Sequence, residues 1–213
     1  KMPLQNRVTP FGTIEAVSAR GLFTGNRGVI HDPETKRLLG RRWSTKAWII
    51  CECDFQGRHR EVMGRNSPNG TAGWTELFFL DEVTALAAGH RPCFHCRRNR
   101  AQAFARAFAE GQGRAQISAP DMDAILHKQR RASGGTTIAA SEGDALPDGA
   151  MVEAQGRAFA VRRGKLLPWD FAGYGQSRPR REVGARFSLI TPPATVAAMR
   201  AGYLPVWHPS SAS

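Results

Sequence analysis

All four cysteines of this 213-residue chain fall into two short pairs, Cys51-x-Cys53 and Cys93-x-x-Cys96. This constrains the fold more than any other feature, because two chelating pairs far apart in sequence can share one tetrahedral ion only if the segments carrying them converge. Cys51 and Cys53 lie in WIICECDF, an apolar, β-branched run that reads as a strand. Residues two apart on a strand share a face, so both sulfurs are predicted to face one ion. The second pair closes the stretch Leu77–Arg98, where Val83, Leu86 and Ala87 give a short helix its buried stripe. Asp81 can cap that helix, Gly89 can end it in a left-handed conformation, and Pro92 bars its continuation. The thiols of Cys93 and Cys96 then sit in a rigid turn at the helix C-terminus. One zinc ion held by Cys51, Cys53, Cys93 and Cys96 is the cofactor this pattern predicts. Two disulfides, or four unrelated buried thiols, are the alternatives. A bridge within Cys51-x-Cys53 would strain a strand whose alternate Cα atoms lie about 6.6 Å apart.

The run Ala88, Gly89, Arg91, Pro92, Cys93, Cys96 and Arg97 follows an aromatic strand end and an alanine-rich helix. In this it resembles the second half of the zinc-binding methylphosphotriester repair domain of the Ada family, over residues 77–98 only. The resemblance implies that Cys93 and Cys96 are the third and fourth zinc ligands, and that the first cysteine of the leading pair is the methyl acceptor. That family's leading pair is Cys-x-x-x-Cys with a shorter gap to the knuckle, whereas this chain has Cys-x-Cys and a longer insertion.

The formal charge is +12 and the pI about 10.7, with arginine far in excess of lysine. The planar guanidinium suits phosphate, so the expected partner is a nucleic acid, DNA in the first instance. A GC-rich coding composition would also favour arginine over lysine, but it accounts less well for the surplus of positive charge. No run of about eighteen apolar residues and no signal-peptide pattern occurs, so neither a membrane span nor membrane association is expected and a cytoplasmic location is. Walker, Rossmann, HExxH and Gly-x-Ser-x-Gly patterns are missing, which predicts no nucleotide cofactor and no serine hydrolase chemistry.

Hairpin signals and amphipathic helices come in separate runs, which predicts an α+β fold of small antiparallel sheets with three to four helices. Residues 1–131 read as a zinc-containing unit, 132–149 as a linker or loop rich in small residues, and 150–213 as a smaller α+β segment, either separate or packed on the first. Within the first unit, Arg20–His31 has the form of a hairpin with Arg27 at its tip, and Trp48–Met63 that of a second hairpin turning at Gln56-Gly57. Helices are predicted over Arg98–Glu110, with Ala101, Phe104, Ala105 and Phe108 inward, and over Ser118–Arg131, with Met122, Ile125 and Leu126 inward. In the last segment, Thr195–His208 echoes Glu82–His95. A decayed duplication would produce that echo, and so would a common way of ending a helix.

Arg91, Arg97, Arg98 and Arg100 flank the knuckle and, with Arg27, are the predicted phosphate contacts. Three of them open a helix, where the dipole disfavours cations; the nearby zinc–thiolate cluster, a nucleic-acid phosphate or plain solvent exposure would each make that placement tolerable. Trp169 and Tyr174 surround Asp170 in an aromatic, glycine-containing stretch that resembles a base-stacking pocket. If the zinc is only structural, catalysis falls to Asp170, Glu76, His31 or Asp32, acting as nuclease or glycosidic-bond hydrolase residues. The expected function is therefore a zinc protein of DNA repair or of modified nucleic-acid recognition, with a mainly structural Zn(Cys)₄ site. A nucleic-acid-processing enzyme and a stoichiometric thiolate methyl acceptor are the alternatives.

Overall fold

Asp81 begins a helix as its sequence predicts: its carboxylate accepts from the Thr84 backbone N–H at 2.8 Å, and the helix that follows covers Glu82–Ala87. Around it the computed structural model describes residues 2–57 and 59–212. In chain order the first half runs β1 (Arg7–Val8), β2 (Ile14–Glu15), β3 (Phe23–Asn26), β4 (His31–Asp32), β5 (Arg37–Leu38), β6 (Ile49–Glu52) and β7 (Leu77–Phe79). There follow α1 (Glu82–Ala87), β8 (Arg91–Pro92), α2 (Arg98–Gly111) and α3 (Ala119–Gln129). The second half contains β9 (Ile138–Ser141), β10 (Met151–Ala154), β11 (Arg157–Arg162), β12 (Lys165–Asp170) and β13 (Gly173–Tyr174). It ends with β14 (Arg178–Pro179), α4 (Arg180–Val183), β15 (Arg186–Leu189) and α5 (Pro193–Arg200). Helices and strands alternate only locally, and the class is α+β.

The first half builds a six-stranded sheet of order β2-β1-β7-β3-β6-β8, mixed and not purely antiparallel, since β1 pairs parallel with β7 and β6 with β8. Its core brings Phe23, Ile50, Leu77 and Phe79 against Leu86 of α1, Phe104 and Phe108 of α2, Met122 and Leu126 of α3, and Met199 of α5. The two predicted stripes of α2 and α3 are thus the buried ones, apart from a half-buried Ile125 and Ala105 at the edge of the cluster. The second half forms a seven-stranded antiparallel sheet whose spine is β13-β12-β11-β10-β15-β9.

Neither predicted N-terminal hairpin forms. Residues 25–28 do not make a turn: β3 runs through Asn26 and pairs with β6 and β7, strands far away in sequence. Gly25 permits this close packing, because a Cβ there would lie 2.1 Å from the Ile49 carbonyl oxygen. Arg27 is consequently not at an exposed tip but fully buried, its guanidinium 3.9 Å from the Trp48 ring centroid. Beyond β6, Gln56 and Gly57 do turn with positive φ, but residues 59–63 form no returning strand. Residues 132–149, read as a linker, contain β9, which pairs with β15 at the sheet edge. The knuckle does not hang from the end of α1 either. Gly89 closes that helix at φ +87°, strand β8 intervenes, and the thiols stand in the turn before α2.

Two adjacent buried carboxylates join the halves. Asp81 accepts from the Tyr174 hydroxyl at 2.9 Å and the His208 N–H at 3.0 Å. Glu82, wholly buried, accepts from Arg97 at 2.9 Å, Arg100 at 2.8 Å, the Tyr203 hydroxyl at 2.6 Å and the Val206 N–H at 2.8 Å. The anion that offsets the arginines at the start of α2 is therefore Glu82, part of the protein itself. The echo between the two helix ends also has a structural counterpart. Gly89 and His90 donate to Leu86 and Ala85 as Gly202 and Tyr203 donate to Met199 and Ala198, the same end-of-helix hydrogen bonding.

Candidate metal centre and adjoining cavity

Strand register aligns the floor of the site. On one face of the sheet Phe78, Thr24 and Cys51 form a cross-strand row, and Asn26 and Ile49 form the next. Parallel pairing of β8 with β6, fixed by Cys93 N–H donating to the Ile50 carbonyl at 2.9 Å, brings the knuckle alongside Cys51. The Sγ atoms of Cys51, Cys93 and Cys96 all lie within 4.8 Å of one another. Tetrahedral zinc with Zn–S bonds of about 2.3 Å holds its sulfurs about 3.8 Å apart, so a small inward movement suffices. The His95 N–H points at Cys93 Sγ at 3.4 Å, the kind of donor that stabilises a thiolate. Sharing of protons among the three sulfurs, aided by the backbone N–H groups of Cys96 and His95, lowers the Cys93 pKa, while the same contacts with Cys93 and Cys96 raise that of Cys51. Three sulfurs that close compete for protons, and a divalent cation resolves the competition by replacing them.

Cys53 is not in the cluster. β6 ends at Glu52, strand alternation lapses there, and the Cys53 thiol, exposed, is directed at the Leu22 carbonyl at 3.5 Å. The predicted set of four ligands is thus brought together only as three.

The three thiols open onto a cavity of about 710 Å³. Its floor is the sheet face just described, and its cover is the insertion between β6 and β7, with Phe55, His59, Arg60 and Trp74 among the lining residues. Cys53 stands on its wall. At the end away from the sulfurs Glu76 is buried, accepting from Arg60 Nε and the Met63 N–H, both at 2.8 Å, while the Arg60 guanidinium stacks 4.2 Å from the Trp74 ring centroid. The sulfurs stand on β6 and the turn beyond β8, whereas Glu76 immediately precedes β7, two strand positions from β6 in the sheet. The insertion is legible in the sequence as a gap, but its place over the cavity is not, because Arg60 and Met63 are tied to Glu76, thirteen or more residues further along the chain.

The other predicted site residues lie elsewhere or have structural partners. His31 is buried with its Nδ1 2.6 Å from Thr75 Oγ1, and Asp32 accepts from the Glu34 N–H at 2.9 Å. Asp170 is exposed at the β12–β13 turn, where it accepts from the Ala172 N–H at 3.2 Å. Trp169 and Tyr174 form no stacking pocket around it: Trp169 Nε1 donates to Thr84 at 2.9 Å and Tyr174 to Asp81, which pins that hairpin to α1. Arg91 makes a bidentate pair with Asp123, both bonds 2.8 Å, and Arg97 also meets Glu52 at 2.8 Å. Of the predicted phosphate contacts, Arg98 alone is exposed and outside any ion pair among the described residues. No helix among the described residues is long and apolar enough to cross a membrane.

No protein-family model, no curated protein and no solved structure matches this chain.

Proposed function

We infer that this is a zinc–thiolate protein of modified nucleic acid, in which Cys51, Cys93 and Cys96 would hold the metal at one end of the cavity. The observation that carries the reading is the convergence of three sulfurs at one end of a cavity of about 710 Å³. A closed structural Zn(Cys)₄ site has no use for such an opening. When bound, zinc would keep the three thiols ionised at neutral pH and temper their charge.

What the chain's own residues do follows from their placement. β6 and the β8–α2 turn fix the thiolates, and the sheet floor and Trp74 hold a planar group. The resemblance to the Ada repair domain supplies the reaction class. A cysteine thiolate attacks the methyl carbon of a phosphotriester, the S–C bond forms as the C–O bond breaks, and the electron pair leaves on the phosphate oxygen, restoring an anionic diester. Cys51, at the head of the leading pair, takes the acceptor's place in that resemblance. The access path from the cavity favours this acceptor chemistry over a purely structural metal. One observation favours the closed site instead: Cys53 lies two residues from Cys51 on the same cavity wall, and a turn of that segment would bring a fourth sulfur to the ion.

Metal analysis joined to intact-mass spectrometry decides between them. About one zinc per chain, retained in Cys53→Ser, and a gain of one methyl group mapped to Cys51 after incubation with methylphosphotriester DNA are the expected results. Loss of zinc in Cys53→Ser without any methyl gain in the wild type would establish the closed site, and absence of metal would refute both.

A further inference from the structure

Apart from Arg98, the knuckle arginines are spent internally, so most of the positive charge that could meet a polyanion must lie elsewhere. Residues 150–213 carry nine Lys/Arg against three Asp/Glu, half of the chain's formal +12. Much of that surplus collects at one end of the antiparallel sheet. The β11–β12 turn reads Arg162-Arg163-Gly164-Lys165, and its cross-strand register sets Arg162 directly opposite Lys165. Two like charges in that position destabilise a hairpin unless an anion lies between them. Arg163 sits at φ +50° and Gly164 at +73°, the left-handed pair of a tight hairpin turn, in which a non-glycine residue is strained. The preceding turn has the same conformation with the neutral pair Gln155-Gly156, at φ +52° and +73°. The turn geometry therefore does not demand a cation at position 163.

These side chains border a depression of about 140 Å³ where Arg162, Arg163, Lys165, Ser177 and Ser211, cations and hydroxyls suited to phosphate oxygens, stand beside the apolar Leu167 and Ala212. The Arg162 guanidinium is held there, 4.7 Å from the Trp207 ring centroid and donating to Ser211 Oγ. Asp148 accepts from the Arg163 backbone N–H at 2.7 Å, and among the described residues no carboxylate is bonded to the Arg163 guanidinium. At the sheet edge β14 sets Pro179 opposite Lys165 and the exposed Arg178 opposite Leu166, one position further along, and α4 adds the exposed Arg181. Among the described residues, no salt bridge involves Arg162, Arg163, Lys165, Arg178 or Arg181. Arg180 beside them is different, being bonded to the Asp144 and Ser141 carbonyls.

We propose that the β11–β12 turn and the adjoining β14 edge form the surface that binds the phosphate backbone of nucleic acid, in place of the knuckle. The inference rests on the reading of the protein as one that acts on nucleic acid, and it adds the docking surface on which the strand is held. A backbone gripped by cations that contact no base edge is bound without sequence preference and with a strong dependence on salt.

The test compares the full chain with the variant R163Q/K165Q/R178Q, using R98Q as the knuckle control. Arg163→Gln recreates the Gln155-Gly156 turn, so an unchanged melting temperature verifies the fold. Binding of a labelled duplex oligonucleotide is followed through a salt series. Loss of three phosphate contacts is expected to weaken binding at least about tenfold and to flatten the slope of log K against log salt by about 2–3 units, against at most one unit for R98Q. The triple variant should keep its zinc. An unchanged slope in the triple variant would overturn the proposal, as would wild-type binding to vesicles containing phosphatidylserine but not to the oligonucleotide. Failure of the thiolate experiment alongside a flattened slope would remove the proposed chemistry and leave the surface standing.

Discussion

Glu82→Gln tests whether the arginines at the start of α2 serve the fold. The substitution keeps the shape of the side chain and removes its charge. In the native protein the carboxylate, entirely shielded from water, accepts two guanidinium bonds, one phenol and one backbone N–H, all between 2.6 and 2.9 Å. An amide has one accepting oxygen and one donating NH₂, so two of these four donors lose their partner and face another donor. Arg97, only 2% exposed, cannot turn to solvent, whereas Arg100, 35% exposed, can. The expected cost is that of breaking a buried ion pair with its hydrogen bonds, about 3–5 kcal/mol. In a chain of this size that lowers the melting temperature by about 6–20 °C. Differential scanning calorimetry and urea titration, both with zinc in excess, give the two values. Because Tyr203 and Val206 are among the donors, limited proteolysis should also release the C-terminal segment faster. A loss below about 1 kcal/mol would refute the reasoning and free Arg97 and Arg100 for an external anion.

Three further outcomes are expected. Cys51→Ser or Cys93→Ser should each abolish stoichiometric zinc binding, measured by metal analysis after dialysis, since either leaves two thiols; retention of zinc would mean that the ion sits elsewhere. Burial, together with Arg27 and Arg130, holds the His90 pKa well below its ordinary value, so the folded state prefers neutral His90 and the unfolded state binds the extra proton below about pH 6.5. Stability from this source is full above that pH and falls as the pH drops toward the folded-state pKa, by up to about 1.4 kcal/mol per unit; a His90→Asn variant whose pH dependence matches wild type would contradict this. Gly89→Ala places a Cβ 2.5 Å from that of Arg130 at φ +87°, and should cost at least about 2 kcal/mol in urea unfolding, with a cost under half of that arguing against the close approach.

The sequence alone determined what is local. Asp81 and Ser118 announce their helices because each cap closes a bond within three residues, and the inward stripes of α2 and α3 follow from helical periodicity. The Cys93-x-x-Cys96 knuckle and the arginine surplus are legible for the same reason. Whatever depended on partners distant in the chain was decided by tertiary structure. The segment around Gly25 satisfies a hairpin template, yet its backbone groups are taken by β6 and β7, and a central strand with two neighbours outcompetes a two-stranded ribbon. Arg27, Arg91 and Arg97 read as phosphate ligands, but Trp48, Asp123 and Glu82 occupy them, and burial with a partner is what separates a structural guanidinium from a free one. Cys53 follows the alternation of a strand that stops one residue too soon. Side-chain type and spacing are carried by the chain, whereas the destination of a charge or a thiol is set by the surface that folding places opposite it.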